Sequence, residues 1–148
     1  MTHGDAGLAL ARDAIGGLLT EFAWRVDNGA GSSVAALFTP DATVETPHFT
    51  LQGRAEIDRW FTQRSARGDR LSRHYWSNLR LTPDGDGYLA EANVMTAVGV
   101  PPAPQKGATL VLGHSTDKVM LTADGWRFCS RRLTVTFEGT LTDGGHAP

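Results

Sequence analysis

The stretch Ser72-Arg73-His74-Tyr75-Trp76-Ser77-Asn78-Leu79-Arg80-Leu81 decides how this chain is read. Its aromatic-rich alternation predicts a long strand, and the period of two puts His74, Trp76 and Asn78 on one face and Tyr75, Ser77 and Leu79 on the other. One face then carries a base, a ring and an amide. That is the composition of a small-molecule pocket wall, mostly apolar with a few polar groups that orient a ligand. An ordinary strand with a hydrogen-bonded core histidine would read the same way, so function needs a second signal.

Downstream of this stretch the chain reads as strands only. The first runs from Leu71 to Thr82, and Pro83-Asp84-Gly85-Asp86-Gly87 turns it into Tyr88 to Val98. A loop containing Val100-Pro101-Pro102-Ala103-Pro104 leads to Ala108 through Thr122, and Ala123-Asp124-Gly125 turns the chain into Trp126 through Glu138. Upstream it reads as helices. Apolar residues at Leu8, Ala11, Ile15, Leu18, Leu19, Phe22 and Val26 have the three-and-four spacing of an amphipathic helix, closed by Asp27-Asn28-Gly29-Ala30-Gly31. Ser32 or Ser33 can cap a short second helix through Val34, Ala35, Leu37 and Phe38, stopped by a turn at Thr39-Pro40-Asp41. Two weak strand pieces, Ala42 to Thr46 and Phe49 to Leu51, flank Pro47. A third helix follows Gly53, with Ile57, Trp60 and Phe61 on one face. Helices first and an antiparallel meander afterwards predict an α+β domain over residues 8–138, with a loose leader at 1–7 and a frayed tail at 139–148.

Composition narrows the function classes. The 148 residues fit one domain, and 41% hydrophobic and 20% charged residues with a net charge of -2 indicate neither disorder nor a polyanion-binding surface, so nucleic acid is not expected as a partner. Cys129 is the single cysteine, so no disulfide framework exists within the chain. No signal-peptide pattern and no run long enough to cross a bilayer stands out, and the expectation is a cytoplasmic protein with no membrane partner. Metal-binding spacings, phosphate-binding glycine loops, dinucleotide fingerprints and Gly-x-Ser-x-Gly elbows are missing, so no metal and no cofactor is expected.

Five stretches in this order and spacing carry a resemblance: Phe22-Ala23-Trp24-Arg25-Val26-Asp27, Leu37-Phe38-Thr39-Pro40-Asp41-Ala42, Gly53-Arg54-Ala55-Glu56-Ile57, Arg73-His74-Tyr75-Trp76-Ser77-Asn78 and Asp124-Gly125-Trp126-Arg127-Phe128. Together they resemble the NTF2-like superfamily, in its SnoaL-like branch of scytalone dehydratase and ketosteroid isomerase relatives. The resemblance implies a cone of three N-terminal helices packed on a curved, mainly antiparallel sheet. It implies that Asp27 hydrogen-bonds His74 inside the cone, as in the dehydratase-like members, and a homodimer through the outer sheet face. Val26 stands where the dehydratases carry a tyrosine, and Phe22 and Trp24 stand in the region of the isomerase tyrosine, so neither pattern is complete.

The chemistry of these residues can be argued without the family. Histidine exchanges a proton near neutral pH, with an ordinary pKa of about 6.5, and a carboxylate on one ring nitrogen fixes its tautomer. Asp27 can be that carboxylate, or it can be a plain turn residue at a helix end. Trp24, Trp60, Trp76 and Met95 can line a pocket for a hydrophobic cyclic ligand, or can be core. Asn78 and Asn93 are candidates to meet a ligand oxygen, with a bulge as the other reading of Asn78. His114, alternating with Leu110, Leu112 and Thr116, is either a second acid or base or a histidine on the sheet surface. Two functions follow: a cofactor-independent lyase or isomerase acting on a cyclic hydroxylated or carbonyl-containing small molecule, with dehydration preferred, or a non-catalytic binding or assembly module of the same fold.

Overall fold

The computed structural model describes residues 3–142. Helix α1 spans His3–Asp27, a 3-10 helix spans Gly31–Leu37, strand β1 Phe38–Glu45, β2 Thr50–Gln52, helix α2 Arg54–Arg67, and the long strands are β3 Leu71–Asp84, β4 Gly87–Gly99, β5 Ala108–Thr122 and β6 Gly125–Leu141. They form one six-stranded sheet in the order β2-β1-β6-β5-β4-β3. All pairings are antiparallel except that of β1 with β6. The expected order of helices and strands is found, with several boundaries moved. Helix α1 begins at His3 rather than Leu8, and β6 continues to Leu141, into the expected tail, whose residues 143–148 lie outside the described ones.

The core explains the helix pattern. Ala11, Ile15, Leu18, Leu19 and Val26 of α1 are buried together with Val34, Leu37, Phe38, Val44, Ile57, Phe61, Val119 and Phe128. Phe22 meets the rings of Phe38, Phe61 and Phe128 edge-on at 5.7 to 6.2 Å, an arrangement that adds to area burial. The second helix differs from expectation: neither Ser32 nor Ser33 caps it, and Ser33 Oγ instead donates to the Ala30 carbonyl at 2.7 Å. Phe38 does not belong to that helix; it opens β1. The expected turn at Thr39-Pro40-Asp41 lies inside β1, where pairing with β6 is interrupted between Phe38 and Thr43. Pro40 has no N–H to give a ladder, and the interruption leaves it none to supply.

Strand β3 is bulged. Ser77 pairs with Asn93 and Arg80 with Glu91, so Asn78 and Leu79 together oppose Ala92. Asn78 has a φ of 58°, a left-handed conformation that asparagine tolerates. The inserted residue inverts the alternation. Up to Ser77 the inward side chains are Ser72, His74 and Trp76; beyond it they are Leu79 and Leu81, which pack on the core, while Asn78 is exposed. The expected placement of Asn78 inside and Leu79 outside is thereby reversed. Val119 is buried opposite Phe128 on the inner face.

The inner face also holds a charge pair. Arg131 donates to Asp117 through Nε at 2.9 Å and Nη2 at 3.2 Å, with Asp117 wholly buried. Its guanidinium carbon lies 4.2 Å from the centre of the Phe22 ring and 4.5 Å from that of Phe128. Burial pushes the Asp117 carboxyl up, and the Arg131 charge opposes that push. Among the described residues no helix is long and apolar enough to cross a membrane.

Removing one partner leaves the other charge in the core without compensation. Arg131→Leu is expected to cost about 3–5 kcal/mol of stability, and adding Asp117→Leu to recover much of that loss, as urea denaturation will read.

Candidate functional site

The helix edge that meets β3 is the row Gly16, Thr20, Ala23 and Asp27, separated by four, three and four residues. The Trp76 indole packs beside Gly16, 3.4 Å from where a Cβ there would sit. Trp76 Nε1–H donates to Thr20 Oγ1 at 3.1 Å. One more turn along, Asp27 reaches β3 itself. Its Oδ1 accepts from His74 Nδ1 at 2.6 Å and from Ser72 Oγ at 2.8 Å, and its Oδ2 accepts from the His74 backbone N–H at 2.7 Å. Asp27 and His74 lie 47 positions apart in the chain and are brought together by α1 packing on β3.

This geometry determines the proton arrangement. With a carboxylate on Nδ1, the imidazole carries its hydrogen there and keeps the Nε2 lone pair free when neutral. The Asp27 side chain is 7% exposed and that of His74 26%, so the carboxylate is hidden behind a ring that still meets solvent. Burial alone would push the Asp27 carboxyl up. Hydrogen bonds from the His74 ring and backbone, the His74 charge and the Ser72 hydroxyl outweigh it and hold the carboxyl below its ordinary value.

Around His74 the inner face is not closed. Thr96 and Val111 lie level with His74, and Val94 and Gly113 level with Trp76, and all four are part-exposed. The rows beyond, with Ala90, Ala92, Ser115 and Asp117, are buried. Gly113 is obligatory, because a Cβ there would fall 1.8 Å from the Thr134 carbonyl oxygen of the neighbouring strand.

The remaining expected site residues do not gather here. Met95 opposes Tyr75 and Leu112, and His114 opposes Asn93, all on the outer face, so the pleat holds them away from the inner face that carries His74. His114 Nε2 lies 3.6 Å from Glu91 Oε1. Asn78 occupies the exposed bulge. Trp60 packs on Phe49 at 4.2 Å and Phe61 at 4.8 Å between ring centres, a core role. Trp24 is 64% exposed on α1. Of the expected lining only Trp76 shares the His74 face. Ser72 and Arg64 were missed: Ser72 lies two residues before His74 and therefore shares its face, while Arg64 Nη2 donates to Ser72 Oγ at 3.4 Å from α2, a contact with no local sequence signal.

On the outer face Tyr75, Ser77, Asn93, Met95, Leu112 and Phe137 line an open groove of about 460 Å³. Among the described residues no group of three or more His, Cys, Asp or Glu is placed to hold a metal ion.

A carboxylate whose pKa is depressed on folding stabilises the fold above its unfolded value, and this stabilisation is lost as pH falls through the folded value. For Asp27 the loss is expected below about pH 3.9, the ordinary aspartate value. Asp27→Asn should therefore lose stability at pH 6 and show a flatter decline toward pH 3 than the parent, measured by denaturant unfolding at both.

Comparison with solved structures places this geometry among known folds. A candidate scytalone dehydratase from Novosphingobium aromaticivorans DSM 12444 superposes with a TM-score of 0.79 at 20% identity, over 98% of this chain and 99% of that one. Hexachlorocyclohexane dehydrochlorinase LinA-type3 from Novosphingobium barchaimii LL02 gives 0.77 at 18% identity, over 97% and 99%. A candidate aromatic ring hydroxylase from a Novosphingobium aromaticivorans DSM strain gives 0.78 at 24% identity, over 90% and 94%. These likenesses concern the fold alone. No curated protein matches the sequence. The SnoaL-like domain family matches residues 8–132, most of the chain and all of the elements that build the His74 site, and the chain belongs to that family.

Proposed function

We propose that this protein is a cofactor-independent lyase of dehydratase type acting on a cyclic small molecule that bears a hydroxyl group beside an acidic carbon. The single observation that carries the reading is the 2.6 Å contact of His74 Nδ1 with Asp27 on the part-open face of the sheet. Neutral His74 takes a proton from carbon through Nε2, the carbon–carbon double bond forms, and the neighbouring carbon–oxygen bond breaks. The imidazolium then returns its proton to the departing hydroxide, releasing water and regenerating the base. Asp27 orients the ring and stabilises its charged form. The face of Trp76 meets the substrate ring, and Thr96, level with His74 on β4, holds the leaving oxygen. Asn78, on the exposed bulge, and His114, on the outer face, lie away from this substrate position. Returning the proton to a different carbon would make the same pair an isomerase.

The names of the similar structures, a dehydratase and a dehydrochlorinase, support an elimination, since both lose a group and a proton from adjacent carbons. The second reading, an assembly module, draws on the outer face, where Tyr75, Leu112 and Phe137 stand exposed around the groove. That face fits a second copy of the chain, and a homodimer is compatible with either reading.

A panel of cyclic β-hydroxy ketones, followed by the absorbance of the conjugated product, tests the reaction. His74→Ala is expected to lower kcat about 10³-fold or more and Asp27→Asn at least about 10²-fold, with smaller changes in KM. Equal turnover by parent and His74→Ala would remove His74 as the base, and failure of the parent on the whole panel would favour the assembly reading. Phe137→Glu is expected to convert a dimer to a monomer in light scattering, leaving the fold unchanged by circular dichroism.

A further inference from the structure

Ser72, next to the pair, is 5% exposed. Its hydroxyl proton goes to Asp27 Oδ1 at 2.8 Å, the same oxygen that takes the His74 Nδ1 hydrogen. The Ser72 oxygen in turn receives an N–H from Arg64 Nη2 at 3.4 Å, and Arg64 Nη1 lies 3.5 Å from the Val26 carbonyl oxygen at the end of α1. Every donor in this chain points the same way, from guanidinium to hydroxyl to carboxylate. Such aligned hydrogen bonds polarise one another, and a low-dielectric setting strengthens the effect.

We propose that Arg64 and Ser72 are positioning residues that form a relay to Asp27 and set how strongly the carboxylate holds a proton on the His74 imidazole. The Ser72 hydroxyl draws charge from the oxygen that faces Nδ1, and Arg64 adds a positive charge behind it. Both therefore weaken the hold of Asp27 on an imidazolium. Removing either is therefore expected to strengthen that hold. As a contribution to catalysis this rests on His74 being the base, as proposed above; as a physical coupling it does not.

The other charges around the relay are few. Arg67, Asp69 and Arg70 act on Arg64, with Arg70 and Arg67 opposing its charge and Asp69 and Asp27 favouring it. Arg73 turns to the Ser72 carbonyl, at 2.7 Å. On β4 the residue level with His74 is Thr96, which does not titrate.

The test is an NMR titration of the His74 ring in the full chain, without any ligand. Ser72→Ala is expected to raise the His74 midpoint by roughly 0.5 pH unit or more, and Arg64→Gln to raise it by less. Ser72→Thr, which keeps the hydroxyl, should return it to the parent value, and Asp27→Asn should lower it. A structural role alone would lower the unfolding temperature and leave the midpoint in place. Unmoved or lowered midpoints in both Ser72→Ala and Arg64→Gln would overturn the relay. Should Ser72→Ala fail to fold, Arg64→Gln, altered at the far end of the relay, decides alone. A midpoint that moves as expected in a protein with no elimination activity would uphold the relay and remove the reaction. An active enzyme with unmoved midpoints would do the reverse.

Discussion

The carboxylate of Asp27 stands at a helix C-terminus and is almost wholly buried, two conditions that each disfavour a negative charge. It is stable there only because β3 supplies three donors, from the Ser72 hydroxyl, the His74 backbone and the His74 ring. Helix α1 cannot shift along the sheet without stranding that charge. The contact therefore serves as a register pin between the helix and β3, and the orientation of His74 follows from the same pin. Packing and chemistry share one constraint, which is why a structural role alone would account for Asp27 and why the exposure of the His74 ring matters to the functional reading.

The remaining polar interior is organised differently. Arg131 and Asp117 satisfy each other, and Phe22 and Phe128 flank the guanidinium, so the charge is matched by both a partner and ring faces. This pair sits in the closed part of the inner face, level with buried Ala90 and Val44, whereas the Asp27 pair sits where the face stays part-open. One charged pair is thus closed off in the core, whereas the His74 ring of the other contact still meets solvent.

Much of this was legible in the residues. The three-and-four spacing of α1 and the turn signals between the long strands place the elements, because both depend on local chemistry. The meeting of Asp27 with His74 was legible only through the family likeness, since nothing local joins residues 47 positions apart. Strict alternation misled beyond Ser77: a single left-handed asparagine reverses which side chains point inward, and no pattern of hydrophobicity announces it. Met95 stayed open between pocket lining and core and His114 between a second acid or base and the sheet surface, because their faces depend on cross-strand register rather than on their own neighbours. Trp60 and Trp24 stayed open between pocket lining and core for another reason. An indole on a helix reads alike whether it fills a core, faces water or greets a ligand. Arg64 was invisible because its contact with Ser72 forms across a tertiary gap.

Gly113 has a consequence for any molecule that enters beside Trp76. The approach of the Thr134 carbonyl forbids a side chain at that position, so the floor at this point is bare peptide. A change of shape at this point of the face must therefore come from the side chains beside it, such as Trp76, Val94 and Val111, over a flat base.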